Sequence, residues 1–232
     1  MRAPASGPWA QARRIAAVLR ERGVRFVVDY LVEVVGFDLR HGTDTFRHKA
    51  PSAGGGPPAD GVHYVASFTS AVNRVLDVAE RVLGERFAAA QFVDLGCGKA
   101  KALLVYELRY RSLVHPPALG VEYDADLAAV AARNLRRIYP AGVGATVIRD
   151  DAARFRGHVS GASLIVYLYN PFGGRSLQRV LDELALVDHV LLYVDPIHRQ
   201  ELLSRGYAIV AEHAGRYRAD SWVVARRSVA TP

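Results

Sequence analysis

Two spacings of apolar residues alternate along the chain from residue 66 onward. Short continuous apolar runs predict buried strands, and apolar residues three or four positions apart predict helices. Helices are predicted over 66–83, 99–111, 124–139, 173–187 and 197–206. The predicted strands are QFVDLGCG, ALGVEYD, ATVIRDD, SLIVYLYNPF, HVLLYVDP, YAIVAEHAG and DSWVVARR. Of these, SLIVYLYNPF is the most continuously apolar, which is typical of a central parallel strand.

The alternation of strands and helices predicts an α/β fold with a doubly wound, mostly parallel sheet of about seven strands. The last two strands have no room for a helix between them, so we expect them to form a terminal antiparallel pair. Sheets of this kind bind ligands at the carboxyl ends of their strands, near the switch in strand order. Polar residues at those ends are therefore the candidates for a site.

The first 61 residues follow a different pattern. Two helices are predicted, one from about residue 8 to residue 22 and one over VRFVVDYLVEVVGF. The stretch KAPSAGGGPPADG cannot hold a regular helix or a central strand. We therefore divide the chain into an N-terminal helical extension (1–48), a Gly/Pro-rich linker or loop (49–61) and a main domain (62–232). We expect the extension to cover the ligand site, with a dimer interface as the alternative.

Composition narrows the class of protein. The chain has 232 residues, of which 50% are hydrophobic and 23% charged, an ordinary globular balance. It contains no apolar run of the roughly 18 residues that a membrane span needs. Arginines 13, 14, 20 and 22 interrupt the N-terminus, which argues against a signal peptide. A single cysteine, Cys97, cannot form an internal disulfide, so we expect a cytoplasmic protein.

The net charge of +7 raises the question of an acidic partner. The basic residues are scattered among acidic ones, and no run of five occurs. We interpret them as a solvated surface. A small-molecule partner is therefore favoured over a nucleic acid, no membrane partner is expected, and a monomer and a homodimer both remain open.

The motif VDLGCGKA supplies the first candidate site. Gly96 and Gly98 form a Gly-x-Gly turn between a strand and a helix, where the backbone can approach a ligand closely. A dinucleotide-binding fingerprint would have Gly or Ala at position 101, where this chain has Lys101. Asp94 would repel a pyrophosphate, but it suits a ligand that carries an ammonium or sulfonium group.

Acidic residues follow the next two strands. Glu122 can accept hydrogen bonds from both hydroxyls of a ribose, and Tyr123 beside it can cover an adenine. Of Asp150 and Asp151, one can accept the exocyclic amine of adenine. The other interpretation is a helix N-cap, for which Asp is favoured, and the pair can serve both purposes.

The fourth motif, YNPF, follows the most hydrophobic strand. The Asn170 side chain and a backbone carbonyl beside Pro171 can accept hydrogen bonds from a substrate N–H. The proline holds the turn rigid, and the Phe172 ring can stack on a flat substrate. An Asn-Pro turn without a function is the alternative.

In this order and spacing, VDLGCGKA, GVEYD, IRDDA and LYNPF resemble the motifs of class I, Rossmann-like methyltransferases that use S-adenosyl-L-methionine (SAM). The resemblance covers roughly residues 66–227. It implies that Asp94 and the turn hold the methionine part of SAM, Glu122 the ribose, and Asp150 or Asp151 the adenine. The predicted cofactor-binding residues are Asp94, Gly96, Cys97, Gly98, Glu122, Tyr123, Asp150, Asp151 and Asn170, and no metal ligands are predicted.

LYNPF is similar to a motif of methyltransferases that act on nitrogen, but it lacks their second proline. Asn170, Pro171 and Phe172 are the predicted catalytic residues. The acceptor atom stays open between nitrogen and oxygen, and the acceptor itself between a small molecule and a protein side chain. Candidates for a general base, needed only if the acceptor must lose a proton first, are His63, Tyr64, Asp195 and His198. A SAM-binding protein without catalysis and an NAD(P)-dependent oxidoreductase are the rival functions.

Overall fold

The computed structural model of the protein describes residues 23–46, 64–140, 144–170 and 172–227. The helix predicted over 8–22, the linker 49–61, His63 and Pro171 lie outside these described residues. Within the part of the chain that is described, no helix is long and apolar enough to cross a membrane.

A seven-stranded sheet forms the centre of the molecule, with the strand order β3-β2-β1-β4-β5-β7-β6. Neighbours from β3 to β5 pair in parallel, and β7 runs antiparallel to both β5 and β6. The predicted doubly wound sheet, the central position of the SLIVYLYNPF strand and the terminal antiparallel pair are therefore confirmed. The strands are β1 (Gln91–Leu95), β2 (Leu119–Glu122), β3 (Thr146–Arg149), β4 (Ser163–Tyr169), β5 (Asp188–Val194), β6 (Tyr207–His213) and β7 (Trp222–Arg227).

Helices connect the strands and flank the sheet. Residues 23–41 are helical without interruption and comprise α1 (23–30), a π-helical turn (Leu31–Val35) and α2 (Gly36–His41). The following helices are α3 (Thr69–Leu83), α4 (Lys101–Arg109), α5 (Ala125–Ile138), α6 (Gly174–Leu184) and α7 (Arg199–Ser204). Short 3₁₀ turns lie at Gly84–Ala89, Ala152–Gly157 and Arg218–Asp220. Helix α3 begins later than predicted, and Phe68, directly before it, has an extended backbone.

Two apolar clusters pack on opposite faces of the sheet. The first contains the inward faces of α3 and α4, and the second contains those of α6 and α7. Phe26, Val34 and Phe37 of the N-terminal helix are buried in the first cluster, with exposed fractions of 8% or less. The described part of the extension therefore belongs to the hydrophobic core.

The N-terminal helix packs at the carboxyl edge of the sheet. The Phe26 ring lies 6.0 Å from the Phe68 ring, at the start of α3, and 5.0 Å from the Tyr217 ring. Tyr217 belongs to the connection between β6 and β7, which leaves the sheet at its carboxyl edge. The division into an extension, a linker and a main domain stays a prediction.

Candidate functional site

The turn after β1 is tied to the end of β2. Gly96, Gly98 and Ala100 all have positive φ angles, of 79°, 55° and 69°. Glycine adopts this region without strain, whereas Ala100 does so at a cost. The backbone N–H groups of Gly96 and Cys97 donate to the Val121 carbonyl at 2.8 and 3.1 Å. The turn therefore lies at the predicted ligand-binding edge.

Glu122 braces this turn from the end of β2. Its Oε2 accepts a hydrogen bond from the Gly98 N–H at 2.8 Å, and its Oε1 accepts one from the Asp124 N–H at 2.8 Å. Only 8% of the residue is exposed, and burial raises the pKa of its carboxyl group. Each carboxylate oxygen can accept a second hydrogen bond, so the bracing role leaves capacity for a hydroxyl donor.

Asp94 lies on β1 beside the turn and is 3% exposed. Burial, together with the negative charge of Glu122, raises the pKa of its carboxyl group well above the usual range. Two buried carboxyl groups near a turn of backbone N–H groups favour a cationic ligand over a pyrophosphate. This agrees with the argument from sequence.

The Cys97 side chain points away from the turn surface. A Cβ added to Gly120 would lie 2.8 Å from the Cys97 sulfur, so the thiol packs closely against β2. The Cys97 N–H donates to Val121, and its carbonyl accepts from the Ala100 N–H at 2.8 Å. The residue shapes the turn, and its contact with a cofactor stays a prediction.

Tyr64 covers the turn, which the sequence pattern did not indicate. A Cβ added to Gly98 would lie 2.3 Å from two carbon atoms of the Tyr64 ring. The Tyr64 hydroxyl donates to the Thr45 carbonyl at 2.6 Å, and burial raises its pKa well above the usual range. These contacts argue against Tyr64 as a general base and make it a wall of the site.

Gly98→Ala is expected to lower both the melting temperature and the affinity for a ligand at the turn, because its Cβ would collide with Tyr64. The matched control is Gly84→Ala. Gly84 has the same φ of 55° but no atom within 4 Å of its added Cβ, so it reports backbone strain alone. Thermal unfolding should show a larger loss for Gly98→Ala, and equal losses would contradict the close approach of Tyr64.

The loop that holds Tyr64, residues 42–46, is organised by Asp38 of α2. Its carboxylate accepts hydrogen bonds from the Thr43 hydroxyl, the Thr45 N–H and hydroxyl, and the Phe46 N–H at 2.6–2.9 Å. The buried Asn134 links the loop to the turn: its Oδ1 accepts from the Asp44 N–H and its Nδ2 donates to the Lys99 carbonyl. The loop is therefore fixed over the site.

Lys101 connects α4 to the N-terminal helix and does not face the turn. It is 2% exposed, its Nζ donates to the Glu33 carbonyl at 3.1 Å, and the same atom lies 3.2 Å from the centre of the Phe37 ring. Burial lowers its pKa to about 7. The residue that breaks the dinucleotide fingerprint is therefore an anchor for the extension.

The two acids after β3 have different partners. Asp151 caps the 3₁₀ turn by accepting from the Ala153 N–H at 2.9 Å, and it pairs with Arg179 at 2.9 Å. Asp150 accepts from His158 at 2.9 Å, and this contact lowers the pKa of its carboxyl group. Its backbone N–H donates to the Glu122 carbonyl, which keeps it beside the ribose candidate. Asp150 is therefore the better adenine candidate of the two acids. Tyr123, the aromatic candidate for the adenine, is 53% exposed.

Asn170 follows β4 and is 7% exposed, with a positive φ of 38°. Its Nδ2 donates to Asp195 Oδ2 at 3.2 Å. Its Oδ1 is buried and accepts no hydrogen bond from any described residue. A buried acceptor without a partner is unfavourable, and a ligand N–H at this edge would satisfy it.

The remaining candidates differ in their surroundings. The Phe172 ring, 7% exposed, packs in the second apolar cluster with Leu177, which favours a packing role over stacking on a substrate. Both Asp195 oxygens accept from Arg218 or Asn170, which argues against a general base there. His198 packs on Gly173. Among the described residues, no group of three His, Cys, Asp or Glu side chains is placed to hold a metal ion.

Comparisons with known proteins find relatives in structure only. No protein-family model and no curated protein sequence matches the chain. A protein assigned as a class I SAM-dependent methyltransferase from Listeria monocytogenes superposes with a TM-score of 0.55 and 13% identity, over 72% of this chain and 62% of that chain. An amino pentose methyltransferase with bound SAM from Micromonospora echinaspora reaches 0.49 and 15%, over 68% and 92% of the two chains. A magnesium protoporphyrin IX methyltransferase with bound SAM from Synechocystis reaches 0.48 and 14%, over 88% and 96%.

Proposed function

Because the chain has the Rossmann-like fold of class I methyltransferases, we propose that it transfers the methyl group of SAM to an acceptor nitrogen held by Asn170. The observation that carries this proposal is the buried Asn170 Oδ1, which has no partner among the described residues, at the carboxyl edge of the sheet. The same edge carries the glycine turn with Asp94 and Glu122, which suits a cationic nucleoside.

The described residues fit SAM at three points. The two buried carboxyl groups of Asp94 and Glu122 suit its positive charge, and the turn at Gly96, beside the Tyr64 ring that covers Gly98, is the place for its methionine part. Glu122 keeps lone pairs for the ribose hydroxyls. Asp150 and the exposed Tyr123 ring are the residues for the adenine.

SAM supplies a methyl group on a sulfonium, which is already activated for in-line displacement. The protein then has to orient the acceptor, and alignment alone can contribute much of the acceleration. Asn170 Oδ1 would accept a hydrogen bond from an N–H of the acceptor. This would aim the lone pair of the acceptor nitrogen at the methyl carbon. A neutral amine needs no base before transfer. A hydroxyl acceptor would have to lose a proton, for which His198 is the remaining candidate among the described residues.

The full-length protein is expected to bind SAM and its demethylated product with micromolar dissociation constants, and NAD(P) not measurably. The Asp94 carboxylate is the physical reason, since it attracts a sulfonium or ammonium group and repels a pyrophosphate. Isothermal titration calorimetry compares the ligands directly. Tighter binding of NAD than of SAM would refute the proposal.

Transfer of tritium from methyl-labelled SAM to compounds of a cell extract tests catalysis itself. We propose a small-molecule acceptor, because the basic residues are scattered and do not form a continuous nucleic-acid-binding surface. A cytoplasmic location is proposed from the single cysteine. Label that remains in SAM with every acceptor fraction, despite tight SAM binding, would favour a binding protein without catalysis.

SAM affinity is expected to rise with pH above the usual pKa range of a carboxyl group. In the free protein, burial and Glu122 raise the pKa of Asp94, so its protonated form persists to a higher pH than that of an ordinary carboxyl group. A bound cation favours the ionised form, so binding releases a proton and strengthens as pH rises through the raised pKa. Calorimetry in two buffers of different ionisation enthalpy measures this release, and Asp94→Asn should reduce it to the part that comes from Glu122, whose pKa burial also raises. Equal heats in the two buffers for the unaltered protein would contradict the prediction.

A further inference from the structure

Asn170 and Asp195 occupy equivalent places after neighbouring strands. The last residues of β4 and β5, Tyr169 and Val194, are register partners. The residue that follows each strand has a left-handed backbone conformation, with φ of 38° at Asn170 and 51° at Asp195. This region is uncommon for residues other than glycine, and a pair of such residues marks a local constraint. At these two positions the side chains meet: Asn170 Nδ2 lies 3.2 Å from Asp195 Oδ2.

Arg218 holds the Asp195 carboxylate in place. Its Nε donates to Oδ1 at 2.8 Å and its Nη2 donates to Oδ2 at 3.0 Å, the two-point geometry of a strong arginine–carboxylate pair. The Asp195 side chain is only 15% exposed, although the Arg218 side chain is 68% exposed. The backbone N–H of Asp195 also donates to the Ser221 carbonyl at 2.8 Å. The connection between β6 and β7 therefore fixes Asp195 from two directions.

We propose that Asp195 and Arg218 are positioning residues that fix which end of the Asn170 amide faces the acceptor. An ionised carboxylate only accepts hydrogen bonds, so it selects the orientation in which Nδ2 faces Asp195. Oδ1 is thereby turned to the other side, where it is buried and unpartnered among the described residues. The role in transfer rests on the proposed function, but the orientation itself does not.

This pair also links the site to the N-terminal helix. Tyr217, next to Arg218, packs edge-on against Phe26 at 5.0 Å between ring centres. The connection that carries Arg218 is therefore packed against an element far from β4 in sequence.

Exchanging the two side chains tests the orientation without any acceptor or SAM. Asn170→Asp places two carboxylates together in a buried site, so we expect its melting temperature at pH 8 to fall by about 5 °C or more. The deficit should shrink at acid pH, because the raised pKa of the new carboxyl group favours its protonated form. Adding Asp195→Asn restores a carboxylate–amide pair but removes the carboxylate that Arg218 holds, so the loss in Asp195→Asn alone is measured as well. The double, or exchange, variant recovers if its melting temperature is higher than the two single losses together predict. No recovery in the double variant would overturn the proposal.

A spectroscopic measurement makes the test independent of stability. In the unaltered full chain, one Asn170 Nδ2 proton should show the downfield shift and slow exchange of a hydrogen bond to a carboxylate. Asp195→Ala should remove both features, and Asp182→Asn, which breaks a pair with Arg205 elsewhere, should keep them. An unchanged Asn170 signal in Asp195→Ala would overturn the proposal.

A kinetic measurement tests the role in transfer. Arg218→Gln should lower kcat about ten-fold at unchanged SAM affinity, because it loosens alignment and not cofactor binding. An unchanged kcat would show that the pair has a structural role only. If SAM fails to bind while the exchange variant recovers, the proposed function fails and the orientation stands. If transfer occurs and the exchange variant does not recover, this inference alone fails.

Discussion

Replacing Asn170 with alanine is expected to lower kcat for methyl transfer by about 100-fold or more while leaving the Kd for SAM nearly unchanged. The reason is the position of its Oδ1, which is buried at the end of β4 and available to a ligand N–H. Loss of this acceptor removes the alignment of the nitrogen lone pair with the methyl carbon. Steady-state kinetics on the acceptor, combined with SAM calorimetry, measure the two quantities separately.

A second variant separates the amide from the backbone. Asn170 has a φ of 38°, so alanine adds strain that glycine does not. If alignment is the cause, Asn170→Gly should lose as much kcat as Asn170→Ala. Asn73→Ala, on α3, is a control that removes an amide away from the site. A variant that loses SAM affinity but keeps kcat would identify Asn170 as a cofactor ligand, and the nitrogen acceptor would lose its support.

Glu122→Ala is expected to weaken SAM binding by about 10- to 150-fold, equal to about 1.5–3 kcal/mol. Two effects add: the ribose hydroxyls lose their acceptor, and the N–H groups of Gly98 and Asp124 lose theirs. Because the second effect acts on the turn itself, a fall in melting temperature should accompany the loss of affinity. Calorimetry and thermal unfolding measure both.

Matched variants assign the two effects. Glu122→Gln keeps one carbonyl oxygen for a backbone N–H, so it should retain more stability than Glu122→Ala while still binding SAM weakly. Glu85→Ala removes an exposed acid at the opposite edge of the sheet and should change neither quantity. Full SAM affinity in a folded Glu122→Ala protein would rule out the ribose role.

Local patterns were sufficient for the sheet and for the edge of the sheet at which the candidate residues lie. The apolar runs of β1, β2, β4 and β5 are continuous in sequence and buried, whereas β3, at the edge of the sheet, is partly exposed. Helices such as α6 show an apolar face at Leu177, Val180, Leu181 and Leu184, all of which are buried. Glycines in a Gly-x-Gly turn and an acid after β2 also follow from short stretches of chain. The carboxyl ends of parallel strands then bring Asp94, Glu122 and Asn170 to one edge.

Contacts between distant segments were not predictable in this way. The approach of Tyr64 to Gly98 and the anchoring of Lys101 by Glu33 join segments whose own patterns are unremarkable. In the sequence, nothing distinguishes Arg218 from the many other arginines, and only the fold places it against Asp195. Phe172 belongs to a motif associated with substrate contact, but its ring packs in the apolar cluster beneath α6. Burying an aromatic ring in such a cluster stabilises the fold more than leaving it exposed at the edge of a site.

The π-helical turn Leu31–Val35 determines which side chains before and after it face the protein. In this turn the Gly36 N–H donates to the Leu31 carbonyl, five residues earlier, so the helix contains one residue more than a regular path would need. The Glu33 carbonyl accepts instead from the Thr69 hydroxyl and from Lys101. Deleting one residue here would turn everything on one side of the deletion by about 100° relative to the other. Phe26 and Asp38 could then no longer face the protein together, so the number of residues in this segment is as constrained as the identity of its buried side chains.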